Sequence, residues 1–503
     1  AGTTVVATET NGCTLASGES IVVESGGAIE IDQGPFFGDP GLAGVVVPSN
    51  VTASSIEVAG SVSVGNTATR RGINVKEDAS VSGDITISGT VEAQGTSGVI
   101  AVSVTGSVDG EIKVLAPGRL DAIGTGSRYG IQTETATAAP NIVVGAGAEV
   151  RGESRAIRLL NPMESLTNAG KIAESALAPT PAGGGIELYA DLTTLTNENG
   201  GLIQGVSAGA FPVSAVSLTD ATSIGTLDNS GEVNAMGGGS GIYMNALSTI
   251  TALNNNAQIS GSGPETATND PTLDGVTVDG GVISTLTNSG VISGNDAAIE
   301  VEIGGFYYPA AGRINKLVNL GSLEGGVSTD GTTDPLAPAI KAFVPGSGDP
   351  APIDRLVNKQ SDLRYSGGLP SNYDVVITDA SAYGSLIVDN AGGVMAFGID
   401  VARSSVTDNT LYPGVLDGVT AEQLSATSGT SGALSWTLTQ EDASTQWDLC
   451  VGDCSVSREP KPMPDPEPTP VPVMGIWALG LLTSLSGLLG VVGIRRLRRQ
   501  RSV

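Results

Sequence analysis

The sequence contains no histidine, which excludes every catalytic triad, metal site and acid/base step that depends on an imidazole. Carboxylates remain, and paired carboxylates carry out glycoside hydrolysis. Arg155, Arg158 and Glu187 are the candidates for such chemistry because they fall on neighbouring repeats of the chain. Charges on an outward face are usually solvated, so we expect no catalytic residue, no cofactor and no metal. The alternative is a polysaccharide lyase or glycoside hydrolase, which a groove gathering two acids within about 6–10 Å would favour.

Cysteine is the other residue type that could do chemistry here. Cys450 and Cys454 are four positions apart, close enough to form a disulfide in an oxidising compartment. Free thiols are an alternative. A zinc site is a weaker one, because no third or fourth ligand lies nearby. Cys13 has no evident partner in the sequence.

A repeat of about 30 residues must position these groups. Its unit reads apolar-x-x-Leu-x-Asn, often continued by x-Gly, and the Asn positions are 26 to 39 residues apart. The recurring residues are Asn168, Asn197, Asn229, Asn255, Asn288, Asn319 and Asn358. They could form a ladder that binds a ligand. The structural interpretation is favoured, because stacked asparagines tolerate left-handed turns and satisfy buried backbone groups at a bend.

A second short strand recurs once per repeat, as in Gly185-Ile186-Glu187-Leu188 and Gly241-Ile242-Tyr243-Met244. Two apolar side chains face one side and a polar one faces the other. Three such strands per turn would form a rung, and rungs stack about 4.8 Å apart. Residues 21–362 are therefore predicted to form an all-β, right-handed parallel β-helix (a solenoid) of about eleven rungs. Inward aliphatics such as Ile186, Ile242 and Ile299 should be buried.

The ends of a solenoid expose strand edges that terminal modules must cover. Residues 1–20 are predicted to form an N-terminal cap or lead-in. Residues 363–454, where the Asn motif stops and aromatic residues appear, are predicted to form a β-rich C-terminal cap. Trp436 and Trp447 are expected in the core of this cap rather than as platforms on which sugars stack.

The C-terminal tail has a separate organisation. Proline occupies every second position from 460 to 472, so residues 455–472 are predicted to be an extended Pro-rich stalk. Residues 473–494 carry no charge and are long enough for one transmembrane helix. A buried helix of a soluble domain is disfavoured because this segment is apolar on all sides. A basic cytoplasmic tail, 495–503, follows with Arg495, Arg496, Arg498, Arg499 and Arg501.

Net charge narrows the choice of partners. The chain carries −28, and its last 33 residues contain five Arg and no acid, so residues 1–470 carry −33. Such a surface repels phosphate backbones, and nucleic-acid binding is excluded on this ground. The sequence opens with Ala-Gly-Thr-Thr, a start typical of an exported, processed protein.

Two parts of the chain resemble known bacterial families. The Leu-x-Asn-x-Gly rungs of residues 20–360 resemble the passenger domains of autotransporter-type bacterial adhesins. The tail resembles the IPTL-CTERM sorting signal of Gram-negative bacteria, a relative of the PEP-CTERM class, although Val-Pro-Val-Met replaces the usual Ile-Pro-Thr-Leu. The motif residues are Val471, Pro472, Val473, Met474, Gly475, Ile476 and Trp477.

These resemblances imply an exported, adhesin-like or matrix-like protein. The tail implies handling by an exosortase-like membrane enzyme, an inner-membrane precursor held by its C-terminal helix, and a final location at the cell surface, outer membrane or outside the cell. The partners implied are the membrane, extracellular polysaccharide, and the surface of a host or neighbouring cell.

Overall fold

A computed structural model describes residues 2–5, 7–31, 42–65, 69–124, 126–134, 138–174, 182–207, 213–219, 221–263, 273–304, 310–327, 334, 336–346, 350–440 and 444–454. The chain divides into two units, residues 1–457 and 458–503. The second unit lies wholly outside the described residues. The predicted stalk, transmembrane helix, sorting motif and basic tail therefore lie outside them as well.

The described chain is built from short strands because apolar and small polar residues alternate along it. In Met163–Asn168, for example, Met163, Leu166 and Asn168 face inward while the residues between them face out. Corresponding strands of successive turns pair in parallel to form sheet A. Its strands are Gly2–Val5, Ser20–Val23, Ser55–Val58, Ile85–Ile87, Ile112–Val114, Ile142–Val144, Met163–Asn168, Leu192–Asn197, Ser223–Asn229, Thr249–Asn255, Val282–Asn288, Arg313–Asn319, Ile353–Asn358, Asn372–Val375 and Ala396–Ile399.

Sheet A forms one side of the solenoid, and sheet B forms the second side. Its strands are Thr8–Glu9, Ala28–Ile31, Ser61–Val64, Thr90–Gly95, Arg119–Gly124, Glu149–Gly152, Lys171–Ala173, Leu202–Ser207, Glu232–Met236, Gln258–Ser262, Val291–Gly294 and Ser322–Glu324. A small parallel sheet of Thr52–Ala53, Ser80–Val81 and Ser107–Val108 is an additional element of the N-terminal part.

Sheet C forms the third side. Its parallel strands are Cys13–Thr14, Leu42–Val47, Arg70–Val75, Val99–Val104, Arg128–Thr133, Arg155–Leu159, Ala182–Leu188, Val216–Leu218, Ile242–Met244, Val276–Asp279, Ile299–Glu302, Ile340–Ala342, Leu363–Gly368, Leu386–Gly392 and Thr410–Asp417.

Residues at equivalent positions stack in columns from one turn to the next. In sheet C, Ile186 pairs with Val216, which pairs with Ile242, and the same column continues to Ile299. These side chains are fully buried, so the predicted burial of the inward aliphatics is confirmed. The predicted all-β fold is confirmed too: the chain is a parallel β-solenoid of the right-handed type with about 12 turns, against the eleven expected.

Parallel stacking continues beyond residue 362 before the pairing changes. Asn372–Val375 and Ala396–Ile399 extend sheet A. Three further strands, Ser428–Ser431, Leu434–Gln440 and Trp447–Val451, then pair antiparallel with one another and with Thr410–Asp417. A 3-10 turn, Ala421–Gln423, is the only helical element of the described residues. These antiparallel strands occupy the edge that parallel stacking would leave open.

The two tryptophans of this region belong to its interior. Trp436 and Trp447 are 5% and 3% exposed. The Trp447 indole N–H donates to the carbonyl oxygen of Val419 at 2.7 Å, and the Trp436 ring meets Phe397 edge to face. This burial confirms the expectation that both tryptophans belong to the core and are not platforms on which sugars stack.

Candidate functional site

The seven repeat asparagines form one buried column on sheet A. Each is fully buried, and each Nδ2 of the first six donates to the Oδ1 of the next turn at 2.8 to 3.1 Å. The amides also bond to backbone groups at the bend, as Asn255 Nδ2 does to the carbonyl oxygen of Val291 at 3.0 Å. At the C-terminal end, the Gln360 side chain accepts from Asn319. Because the amides bond to one another and to the chain, the column is a structural element and offers no surface to a ligand.

The charged residues that the sequence indicated lie together on sheet C. Glu187 forms ion pairs with Arg155 at 3.2 Å and with Arg158 at 3.3 Å. The Arg158 guanidinium lies against the rings of Tyr129 and Tyr189, 5.1 and 4.8 Å from their centroids. A single carboxylate shared by two arginines lacks the second acid that glycoside hydrolysis needs. The structure therefore brings these three residues together without making a carboxyl pair.

A second cluster on the same sheet was not apparent from the sequence. Asp274, Asp296 and Glu300 each contribute a carboxylate oxygen, and these oxygens lie within 4.8 Å of one another. Asp274 precedes the strand Val276–Asp279, and Asp296 precedes the strand Ile299–Glu302, which stacks on it. In this register Thr277 lies beside Glu300, and Glu300 beside Lys341 of the following turn.

Asp274 is the innermost member of the cluster and is fully buried. Its Oδ1 accepts from the Ala297 backbone N–H at 3.0 Å, and its Oδ2 accepts from the Thr277 hydroxyl, also at 3.0 Å. The Thr277 hydroxyl is in turn 2.6 Å from that of Ser240. These bonds fix the carboxylate and allow Asp274 to stay ionised despite its burial.

Burial shifts both carboxyl groups away from their ordinary values. Desolvation, partly offset by a hydrogen bond with Glu300, raises the pKa of Asp274 to about 6. Desolvation, reinforced by the hydrogen bond and the negative charge of Asp274, raises the pKa of Glu300 to about 9. At neutral pH Glu300 is therefore protonated and donates its O–H to the Asp274 carboxylate.

Asp296 and Lys341 form the solvent-facing part of the cluster. They make an ion pair in which the side chains are 44% and 32% exposed. Beside them an open groove of about 480 Å³ is lined on its polar side by Glu300, Glu302, Lys341 and Ser366. Ile303 and Phe343 line its apolar side. The groove thus presents a neutral carboxylic acid, an ion pair and an apolar wall to one ligand.

The cluster could support two kinds of chemistry. A protonated Glu300 next to the accessible Asp296 is an acid paired with a carboxylate, the arrangement used in glycoside hydrolysis. Three carboxylate oxygens are also the ligand type that Ca²⁺ and Mg²⁺ prefer. A metal would have to displace the Glu300 proton and compete with the Lys341 ammonium, so the acid/base arrangement fits the residues better.

Sequence reasoning missed this cluster, although one of its members carried a signal that could have been used. Glu300 occupies the outward position of its strand and can be aligned with Thr277 from the strand pattern alone. Asp274 and Asp296 lie outside the repeating strand motif, in bends whose lengths differ between turns. Nothing in the pattern indicated that both turn toward Glu300.

The cysteines lie at opposite ends of the described chain. Cys450 and Cys454 form a disulfide. Cys13 is a half-buried free thiol in the strand Cys13–Thr14, and burial, with a smaller effect from Glu9, raises its pKa. A raised pKa leaves little thiolate at neutral pH, so Cys13 is a poor nucleophile.

The sorting-signal residues 471–477 and the five arginines between 495 and 501 lie outside the described residues. Within the part that is described, no helix combines the length and apolarity needed to cross a bilayer. Comparison with known proteins found no matching family model, curated protein or solved structure.

Proposed function

We propose that this protein is an exported, cell-surface structural or adhesive protein whose solenoid contacts polysaccharide, matrix or another cell. The observation that carries the proposal is the outer face of sheet A, where the outward side chains are exposed or half-exposed in successive strands such as Met163–Asn168 and Leu192–Asn197. Parallel sheets are usually covered on both faces by helices. The described residues contain no helical element other than the 3-10 turn at Ala421–Gln423. The outward side chains of sheet A therefore form a regular surface that continues from turn to turn, as contact with an extended partner requires.

The composition of the tail supports the proposed location. A Pro-rich stalk followed by an uncharged run of 22 residues and five arginines has the composition of a spacer, a transmembrane helix and a cytoplasmic end. We propose that an exosortase-like enzyme acts at Val471–Trp477 and that the helix anchors the precursor in the inner membrane. The rod would then stand at the cell surface.

Surface labelling of cells tests this location. Deletion of residues 471–503 should release a folded protein into the periplasm or medium, because we expect the solenoid to fold without the tail. Replacing the five arginines with glutamine should reduce membrane retention. The proposed location would be rejected if the truncated protein stayed in the membrane fraction. It would also be rejected if the full-length protein could not be labelled at the cell surface.

A glycoside hydrolase is the second candidate, and the carboxyl cluster is the observation that favours it. Glu300 would donate its proton to the glycosidic oxygen while Asp296 attacks the anomeric carbon, so that the glycosidic C–O bond breaks and the leaving sugar departs as an alcohol. Water would then hydrolyse the glycosyl ester on Asp296 and return a proton to Glu300. The oxygens of the cluster are within 4.8 Å, nearer to the spacing of about 5–5.5 Å in retaining enzymes than to the wider spacing of inverting ones. The ion pair of Asp296 with Lys341 opposes this role, because it occupies the carboxylate.

Reducing-sugar release from a panel of polysaccharides decides between the two candidates. An enzyme should lose its activity in both Glu300→Gln and Asp296→Asn, with the fold unchanged by circular dichroism. If the unmodified protein releases no sugar from any of them, or if these substitutions leave its activity unchanged, the hydrolase is rejected.

A further inference from the structure

We propose that Lys341 and Asp296 are joined by an amide bond between their side chains, a covalent crosslink that ties two successive turns of the solenoid together. The crosslink goes beyond the proposed contact with polysaccharide and is independent of it. It requires no second protein, because an amine, a carboxyl group and a proton carrier already meet at one place on sheet C.

The two reacting groups are already in contact. The Lys341 Nζ forms an ion pair with the Asp296 Oδ1, although the two residues are 45 positions apart in the chain. Lys341 is held in the strand Ile340–Ala342, which pairs with the strand Ile299–Glu302 so that Lys341 lies beside Glu300. Asp296 lies in the bend just before that second strand. Groups that the backbone holds next to each other react far faster than the same groups free in solution.

A proton carrier lies on the inner side of this ion pair. Carboxylate oxygens of Asp274, Asp296 and Glu300 are within 4.8 Å of one another, and Asp274 and Glu300 share one proton through their hydrogen bond. An ion pair by itself does not condense, because an ammonium has no lone pair and a carboxylate resists attack by a nucleophile. The Asp274–Glu300 pair removes both obstacles, since it can take up a proton from nitrogen and pass one to oxygen.

The condensation balances without any other reactant. The Lys341 ammonium gives a proton to the ionised Asp274 by way of Glu300, and the free amine attacks the Asp296 carboxyl carbon. The Nζ–Cγ bond forms, one Cγ–Oδ bond breaks, and the oxygen leaves as water. The water takes the proton that the carboxyl pair had accepted and a second proton lost by the nitrogen, so Asp274 and Glu300 end in the state in which they began.

A second lysine ion pair has the same backbone arrangement and lacks the proton carrier. Lys113 lies in the sheet A strand Ile112–Val114 and contacts Asp84, in the bend before the preceding strand, at 2.6 Å. The hydrogen bond from Lys113 lowers the pKa of Asp84, so this carboxyl group stays ionised. Within the described part of the chain, three carboxyl groups gather this closely only at the cluster on sheet C. We therefore expect a crosslink at Lys341 and none at Lys113.

The amide bond would change what this part of the chain can do. It closes residues 296–341 into a covalent ring, which limits how far the two turns can separate when the chain between them unfolds. An adhesive rod under tension gains from such a restraint. An amide at Asp296 also removes the nucleophile that a glycoside hydrolase would use, so the crosslink and that second candidate function exclude each other.

Mass spectrometry of the denatured full chain tests the proposal. Most molecules should be lighter than their sequence by one water, in addition to the hydrogens lost in the Cys450–Cys454 disulfide. Digestion after Glu, Lys and Arg should give a branched peptide in which 266–300 is joined to 325–355, because trypsin does not cleave after an acylated lysine. Lys341→Arg, which keeps the positive charge, and Glu300→Gln, which removes the shuttled proton, should each restore the full mass. Lys113→Arg should leave the loss of water unchanged.

Four results would overturn the proposal. The first is a full mass in the unsubstituted protein when circular dichroism shows that it is folded. The second is a loss of water without a branched peptide, which would indicate a succinimide at an Asp-Gly sequence. The third is an equal yield of a branched peptide from Lys113 and Asp84, and the fourth is a crosslink that persists in Glu300→Gln. None of these results bears on the proposed surface location, which deletion of the tail decides separately.

Discussion

Two adjacent asparagines provide the sharpest test of the asparagine column. Asn254 and Asn255 are neighbours in the strand Thr249–Asn255, but Asn255 is fully buried in the column while Asn254 is half-exposed. Asn255 bonds to Asn229 and Asn288 at 2.8 Å and to the carbonyl oxygen of Val291 at 3.0 Å. The side chain of Asn254 bonds to Asp228 at 2.8 Å on the outer face.

The magnitude follows from these bonds. Each buried hydrogen bond contributes about 1 kcal/mol, and a partner left unsatisfied adds a further desolvation penalty. Asn255→Ala removes three good bonds and leaves the Asn288 Oδ1 without its donor, so we expect the free energy of unfolding to fall by about 3–5 kcal/mol. Asn254→Ala removes a partly exposed bond on the outer face and should lower it by about 0.5 kcal/mol or less.

Urea unfolding followed by circular dichroism measures this difference. Because solenoids can unfold in segments, hydrogen exchange at residues 249–291 should be recorded as well, and exchange should accelerate there in Asn255→Ala alone. Equal destabilisation by the two substitutions, or a loss below about 1 kcal/mol in Asn255→Ala, would contradict the structural role of the column.

Three further predictions concern the core, the carboxyl pair and the disulfide. Ile242→Ala should lower the free energy of unfolding by about 2–5 kcal/mol and Ile242→Val by about 0.5–1.5 kcal/mol, measured by urea unfolding, because the side chain is fully buried. Glu300 has its pKa raised from 4.5 to about 9, so the folded state binds more protons than the unfolded one between these values, and stability should decline as pH rises through this window. Glu300→Gln should flatten that decline in urea titrations at about pH 5, 7 and 9, and an unchanged pH profile would refute the proton-sharing pair. Replacement of Cys450 and Cys454 by serine should lower the free energy of unfolding by about 2 kcal/mol or less, because the closed loop is short. Melting curves of the unsubstituted protein with and without reductant should show a destabilisation no larger than this.

Much of the fold was predictable because a solenoid repeats its packing in every turn. The spacing of the asparagines and the alternation around Ile186 and Ile242 are sufficient to predict which residues face inward. Turns in the N-terminal third are harder to count. There the asparagine is absent, and Ile56, Ile85 and Ile112 stack in sheet A with only alternation to indicate it.

The candidate site was harder to predict because it depends on bends and not on strands. The outward position of Glu300 follows from the strand pattern, but the approach of Asp274 depends on how the preceding bend turns toward the next rung. Bend lengths vary between turns of a solenoid without disturbing the rungs. Residues in such bends carry no periodic signal, so only the folded chain brings the three carboxyl groups together.

The energetic position of this cluster distinguishes it from the rest of the solenoid. The asparagine column satisfies the hydrogen bonds of its own buried amides. The inward aliphatic side chains are removed from water without burying a polar group. Both features therefore stabilise the folded state. Burial of Asp274 and protonation of Glu300 at neutral pH act in the opposite direction, since both pKa values lie above those of free carboxyl groups. A serine or threonine at position 300, like Ser217 and Thr277 at other turns of the same column, would avoid that penalty. Asp274 and Glu300 are therefore unfavourable groups in an otherwise favourable repeat. Groups of this kind concentrate at functional sites. The turn carrying Asp274 and Glu300 is therefore the place where loss of binding or activity should be separable from loss of the fold.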